Sequence, residues 1–157
     1  VKYQVFYEDP IYVAVPSWHP LNRESYAKEG EEMRYLPIGA LQNQTFILTK
    51  PTKKTRMAAD RILSNLNGHY QVGMESLNIE TVIRLVAGGL GISLVPNVFT
   101  KTYLTGDKVN YYQLEEQYAP RWQWAVIYND SLSSLSRPSR ELYHILCDEG
   151  CCFPDYI

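Results

Sequence analysis

Between Glu75 and Pro96 the apolar positions Ile79, Val82, Ile83 and Val86 recur at the spacing of one helix face, which predicts an α-helix turned toward a core. Asn78 stands where an N-cap is needed, with a side-chain oxygen able to accept from a first-turn N–H. Leu77 and Val82 fill the two staple positions, and Glu80 precedes Arg84 by one turn. Gly88 and Gly89 end the helix, because glycine reaches the left-handed backbone without a Cβ penalty. Gly91 to Val95 then reads as a short buried strand closed by Pro96. Helix, glycine turn and strand make half of a parallel βαβ unit.

The same patterning divides the rest of the chain. Val5 and Tyr7 alternate with Phe6 and Glu8, and Ile11 to Val15 is a continuous apolar run between Pro10 and Pro16; together they predict an extended hairpin arm ending in a buried strand. An opening already in strand pattern, with no cap or leader before it, reads as a fragment. Pro16 and Pro20 stop the strand. His19 lies between them with no Ser, Cys or paired carboxylate nearby, so it reads as a turn residue rather than a catalytic base. Residues 22–44 form a polar excursion whose Glu24, Lys28, Glu29, Glu31 and Glu32 predict a solvated face or a short surface helix.

Thr45 to Thr49 predicts a buried strand ended by Pro51. A helix follows from Thr52 to Asn67, with Ala58, Ala59, Ile62, Leu63 and Leu66 inward and Gly68 past its end. The remaining elements are a strand at Tyr70 to Met74, a short helix at Asn97 to Leu104, a turn at Thr105 to Asp107, and strands at Val109 to Leu114 and Arg121 to Tyr128. Ser131 to Ser136 reads as a loop, and Pro138 to Cys147 as a closing helix with Leu142, Ile145 and Leu146 inward.

Composition narrows the function classes. A length of 157 residues suffices for one ordinary domain or two small lobes without disulfide support. A net charge of −2 argues against a general nucleic-acid surface, which needs a cationic excess to displace phosphate counterions. No apolar run is long enough to span a membrane and no secretory leader is visible, so the expectation is a soluble, cytoplasmic protein without a membrane partner. The 13 tyrosines read as strand and interface packing, with some available to line a cleft.

Enzyme signatures are absent: no G-x-S-x-G, no P-loop, no H-E-x-x-H. The glycines at 88, 89 and 91 follow a helix and precede a strand, the reverse of a phosphate-cradling loop. No catalytic residue and no cofactor are therefore expected. His144, Cys147, Cys151 and Cys152 are close in sequence, but neighbouring cysteines do not both point readily at one tetrahedral ion, so no metal site is expected.

Three stretches carry a resemblance: VAVPSWHPLN at Val13 to Asn22, LQNQTFILTKPTKKTRMAADRIL at Leu41 to Leu63, and N-x-E-T-x-x-x-L-V-x-x-G-L-G-I-S-x-V-P from Asn78 to Pro96. In this order they resemble the effector-binding domain of LysR-type transcriptional regulators, over Val5 to about Tyr128. The resemblance implies an α/β fold of the type II periplasmic-binding-protein kind, with one complete lobe at 16–96 and the remainder of a second lobe at 1–15 and 97–157. It further implies a small-molecule effector bound between lobes, a homo-oligomer (dimer or tetramer), and DNA contact only through an absent N-terminal winged-helix domain. A solute-binding protein of a transport system, built on the same fold, is the alternative; an upstream winged helix or a signal peptide would separate the two.

Lys50, Lys53, Lys54 and Arg56 crowd the start of the helix after Thr49, where the backbone dipole is already positive. With the hydroxyls of Thr49, Thr52 and Thr55 and the orphan N–H groups they could hold a carboxylate or phosphate; alternatively the lysines simply extend into water. The family uses this strand-to-helix junction for its inducers, which makes Thr49, Lys50, Pro51 and Thr52 the first candidates for ligand contact. Ser76 and Asn78, at the next strand end and helix start, are the second pair, although Asn78 could be occupied as a cap and Glu75 beside them solvated.

Overall fold

A computed structural model describes residues 1–103, 105–128 and 135–147. The elements in chain order are β1 (Lys2–Asp9), β2 (Ile11–Pro16), β3 (Thr45–Thr49), α1 (Lys54–Leu63), β4 (Gln71–Ser76), α2 (Ile79–Ala87), β5 (Ser93–Pro96), α3 (Asn97–Thr102), β6 (Val109–Tyr112), β7 (Trp122–Tyr128) and α4 (Arg137–Cys147). They form two compact units, Pro10–Pro120 and Val1–Asp9 with the described residues from Arg121 onward. Within the larger unit β6 pairs antiparallel with β2, from Val13↔Tyr112 to Pro16↔Val109.

In the larger unit β5, β2 and β6 form one antiparallel sheet, and β3 and β4 form a parallel pair. An isolated parallel bridge from Phe46 to Ile92 joins the two. Ile47 N–H donates to the Ile92 carbonyl at 2.8 Å and Ile92 N–H to the Thr45 carbonyl at 3.0 Å. β3 therefore lies between β4 and the chain leading into β5, parallel to both, as βαβ crossovers require. α2 packs on β2, β3, β4 and β5, burying Val82, Ile83 and Val86 against Ala14, Ile47, Val95 and Val109. Each such aliphatic side chain is worth roughly 1.5–3 kcal/mol on burial.

The cap, ion pair and glycine stop of α2 are all used, whereas Leu77, expected to staple against Val82, is 59% exposed. Asn78 Oδ1 accepts from Glu80 N–H at 2.9 Å, and Arg84 pairs with Glu80 at 2.8 Å. Leu90 N–H reaches the Leu85 carbonyl and Gly89 N–H the Val86 carbonyl, with Gly89 at φ 81°, which is a Schellman stop. α1 starts at Lys54 rather than Thr52, because Pro51 and Thr52 belong to a turn in which Lys53 N–H bonds to the Lys50 carbonyl at 2.9 Å. It ends at Leu63, where a single 3₁₀ turn leads to Asn67 and Gly68, both left-handed. Ala58 is half-buried rather than a core residue.

Residues 22–44 present the expected solvated face, with Glu24, Glu29, Glu31 and Glu32 exposed, and short 3₁₀ helices at Pro20–Glu24 and Ile38–Leu41 take the place of an α-helix. Tyr26 and Tyr35 make an antiparallel bridge and stack at 5.9 Å, Lys28 sits 4.1 Å above the Tyr35 ring, and the Tyr26 hydroxyl donates to Glu115 Oε1 at 3.0 Å. Aromatic pairing and a hydrogen bond to a partner far along the chain hold this polar stretch in place. His19 is the turn residue expected of it: its Nδ1 accepts from Leu21 N–H at 3.2 Å, and burial lowers its pKa from the ordinary histidine value. Burial thus favours the neutral ring in the folded chain. A depressed folded pKa gives stability that is present above the unfolded value and lost as pH falls through the folded one. Denaturation midpoints are expected to decline on that acid side, and His19→Asn, which keeps an acceptor for Leu21 N–H, should flatten that decline.

In the smaller unit β1 pairs antiparallel with β7, from Lys2↔Tyr128 to Asp9↔Trp122, with an irregularity between Val5 and Tyr7. The expected hairpin of β1 with β2 is therefore corrected: Pro10 separates them, and β1 finds its partner near the other end of the chain. α4 lies beside β1, with Tyr143 edge-on to Tyr128 at 5.6 Å. Leu142 and Ile145, expected inward, are 56% and 50% exposed, because among the described residues of this unit only β1 and β7 are available to cover them. Most of the predicted serine loop, Ser131–Ser134, and Cys151 and Cys152 lie outside the described residues. Among the described residues no helix is long and apolar enough to cross a membrane.

Candidate functional site

Parallel pairing of β3 and β4 sets Thr49 opposite Ser76, so the two carboxyl ends adjoin and the starts of α1 and α2 follow on the same sheet edge. Lys50 N–H donates to the Ser76 carbonyl at 2.8 Å, closing the two strand ends together. Open α/β sheets expose orphan helix N–H groups at this edge, and an anion placed there meets both those donors and the positive helix end.

The six sequence candidates all fall at this edge, in different states. Thr49 is buried, and its hydroxyl shares a hydrogen bond of 2.7 Å with Thr55. Lys50, Pro51 and Thr52 form the exposed turn between strand and helix. Ser76 Oγ accepts from Asn78 N–H at 3.2 Å, and Asn78 Oδ1 is taken by Glu80 N–H, which leaves the Ser76 hydroxyl hydrogen and the Asn78 amide to donate outward. Lys53 occupies the N-cap of α1 but supplies no side-chain cap, so the first-turn N–H groups keep their donor capacity.

Two sequence readings are corrected. Arg56 does not stand among the available cations: its Nε donates to Asp60 Oδ1 at 2.8 Å, and its Nη1 pairs with Glu75 and donates to the Thr49 carbonyl at 3.2 Å. Burial works against its charge, but the hydrogen bonds to Asp60 and Glu75 prevail and raise its pKa above the ordinary guanidinium value. Glu75 is accordingly an ion-pair partner and not merely a solvated carboxylate. Arg56 and Glu75 together tie α1 to β4 beneath the edge, a positioning role the sequence reading missed. Their opposite charges flanking two predicted strand-helix junctions were the one available signal. Lys50, Lys53 and Lys54 remain exposed, and no carboxylate among the described residues pairs with them.

No group of three or more His, Cys, Asp or Glu side chains is arranged to hold a metal among the described residues, and Cys147 is a free thiol. What the edge offers chemically is donors and positive charge, the means of binding an anion.

Residues 1–146 match the LysR substrate binding domain, and the chain belongs to that family. Its fold is accordingly the type II periplasmic-binding-protein-like α/β fold. It is 27% identical over 134 residues to the RuBisCO operon transcriptional regulator of Allochromatium vinosum, covering 82% of this chain and 39% of that one. It is also 27% identical over 99 residues to the uncharacterized HTH-type transcriptional regulator YybE of Bacillus subtilis (strain 168), covering 62% and 30%. The chain thus spans well under half the length of these two relatives. Among solved structures it resembles the Synechocystis PCC6803 CcmR regulatory domain in complex with 2-PG, with a TM-score of 0.75, 22% identity, and 96% and 67% coverage. The effector binding domain of QuiR in complex with shikimate superposes with a TM-score of 0.70 at 17% identity, covering 95% and 65%.

Proposed function

We propose that the chain is the effector-sensing part of a LysR-type transcriptional regulator and takes a small anionic molecule at the joined ends of β3 and β4. One observation carries this reading: Lys50, Lys53 and Lys54 stand exposed at a helix start and a strand edge, and no carboxylate among the described residues pairs with them. Regulator names among the relatives and small-molecule complexes among the structural neighbours support it. Thr49 and Thr52 would supply hydroxyls, Ser76 and Asn78 donors from the second junction, and Pro51 a fixed turn. Together these groups would supply hydrogen-bond donors and positive charge to an anion.

In the whole regulator, the unit Pro10–Pro120 would be one effector lobe and the smaller unit the remainder of another. Effector binding acts by population shift: a ligand changes the regulator's preferred geometry only by its difference in affinity for the alternatives. That geometry would govern how a cytoplasmic homo-oligomer presents winged-helix domains to DNA.

The test is thermal-shift screening of the chain against carboxylates and amino acids. A ligand at about a hundred times its Kd adds about 2.7 kcal/mol of stability, a readily measured shift. Thr49→Val, and separately the triple change of Lys50, Lys53 and Lys54 to Ala, are expected to abolish the ligand-induced shift. A shift unaltered in both variants would place the effector elsewhere.

A further inference from the structure

We infer that residues 32–34 form a strap that closes onto the free edge of β6, carrying the pairing made at Gln113 one step further and shutting a groove that stands open in the structure. Antiparallel pairing with β2 uses alternate residues of β6. Ser17 N–H donates to the Lys108 carbonyl at 2.9 Å, so in the register Val15↔Asn110 and Val13↔Tyr112 the main chain of Asn110 and Tyr112 faces β2. Pro16 has no N–H to give and lies opposite Val109, a position that needs none. The main-chain groups of Val109, Tyr111 and Gln113 therefore face the other way. Those of Gln113 are met: its N–H donates to the Arg34 carbonyl at 3.0 Å and its carbonyl accepts from Leu36 N–H at 2.9 Å, the pattern of a parallel pair centred on Tyr35. Nothing among the described residues pairs with those of Val109 and Tyr111.

The next step of that parallel ladder would set Met33 opposite Tyr111. Arg34 N–H would then donate to the Tyr111 carbonyl, Tyr111 N–H to the Glu32 carbonyl, and Glu32 N–H to the Val109 carbonyl. All six of these groups lack a hydrogen-bond partner among the described residues. Glu32 and Met33 line the same groove as Val109 and Tyr111, about 680 Å³ in volume, so the strap and the edge it matches already face one space.

Both ends of the strap are fastened. Arg34 donates from Nε to Ser25 Oγ at 3.0 Å and from Nη2 to the Ser25 carbonyl at 2.6 Å, and its own carbonyl is held by Gln113. At the other end Glu31 N–H donates to the Lys28 carbonyl at 3.2 Å in a turn that Gly30 completes at φ 81°. Closure therefore asks movement mainly of Glu32 and Met33, which are exposed and half-buried. Parallel partners share a sheet face, so Met33 would come to lie beside the half-buried Tyr111 ring and cover it with a polarizable thioether. Three hydrogen bonds and this cover stand against the ordering of two residues, terms of similar size, which is what a strap that opens and closes requires. The closed state also removes an uncovered strand edge, a template for unwanted pairing with other chains.

Amide hydrogen exchange on the isotopically labelled chain tests the strap. Tyr111 and Arg34 amides are expected to exchange at least about tenfold more slowly than unstructured amides, and Glu32→Pro to return both to nearly the unstructured rate. Proline supplies no N–H at position 32, and its ring would meet the Val109 carbonyl. Asn110 and Tyr112, whose amides face β2, should keep their protection and report an intact sheet. Met33→Ser leaves every backbone group in place and should speed exchange at the same two amides by a smaller factor; it decides alone where Glu32→Pro disturbs the pairing with β2. Unstructured exchange of Tyr111 and Arg34 in the unaltered chain, or protection that survives either substitution unchanged, would overturn the inference.

Discussion

Gly91→Ala is expected to lower the stability of the Pro10–Pro120 unit by about 3 kcal/mol or more, the range of a strained backbone combined with lost sheet hydrogen bonds. Gly91 has φ 157°, and a Cβ built there would lie 2.6 Å from the Thr45 carbonyl oxygen and 3.3 Å from Ile47 Cγ1. The first obstacle is backbone in β3, so no side chain can swing away to relieve it. Room would come only by parting residue 92 from β3, which stretches the two hydrogen bonds that Ile92 makes with Ile47 and Thr45. Gly39→Ala is the control, since nothing lies within 4 Å of the Cβ it would add; its stability change should stay within roughly 0.5 kcal/mol. Urea midpoints of the two variants decide the matter. Equal midpoints would mean that the junction of β3 with the chain entering β5 does not hold the sheet together as described.

What could be foreseen from the sequence follows from the range of each interaction. α2 was legible to the residue because its cap, ion pair and Schellman stop all lie within a few positions of one another. The order of strand, helix and strand around Thr49 was legible for the same reason. The partner of β1 was not, since β7 lies near the other end of the chain and alternation alone does not name a partner. For α4 the apolar period predicted an inward face, but that face needs something to cover it, and among the described residues the smaller unit presents only β1 and β7.

At the candidate site the sequence supplied the residue types and the register supplied their meaning. Pairing Thr49 with Ser76 brings Glu75 within reach of Arg56, and so removes one of four apparent cations from the edge. A one-residue slip would turn Glu75 to the other face and leave Arg56 uncompensated.

Asn22→Asp is expected to cost roughly 2–3 kcal/mol although it changes one nitrogen to oxygen, because it leaves several acceptors facing an acceptor. Asn22 Nδ2 donates toward the carbonyls of Pro16, Ser17 and His19 at 2.8, 3.1 and 2.7 Å, while its Oδ1 accepts from the Tyr112 hydroxyl and Asn110 Nδ2 at 2.7 and 3.0 Å. One amide thus fastens the loop after β2 to β6, and a carboxylate keeps the second set of bonds but repels the first. Protonation restores a single donor, so the folded pKa of the introduced carboxyl should lie above the unfolded value. Such a group contributes stability that is present in acid and lost as pH rises through the folded pKa, which makes the deficit narrow at low pH. Asn65→Asp provides the comparison: Asn65 Nδ2 also donates to two carbonyls, Arg61 and Ile62 at 3.2 and 3.0 Å, but Asn65 is exposed and makes no bond beyond its own helix end. Water can replace those bonds, so the cost there should stay below about 1 kcal/mol. Similar costs for both variants, or a deficit at Asn22 that widens in acid, would show that this amide is not what joins the loop to the sheet.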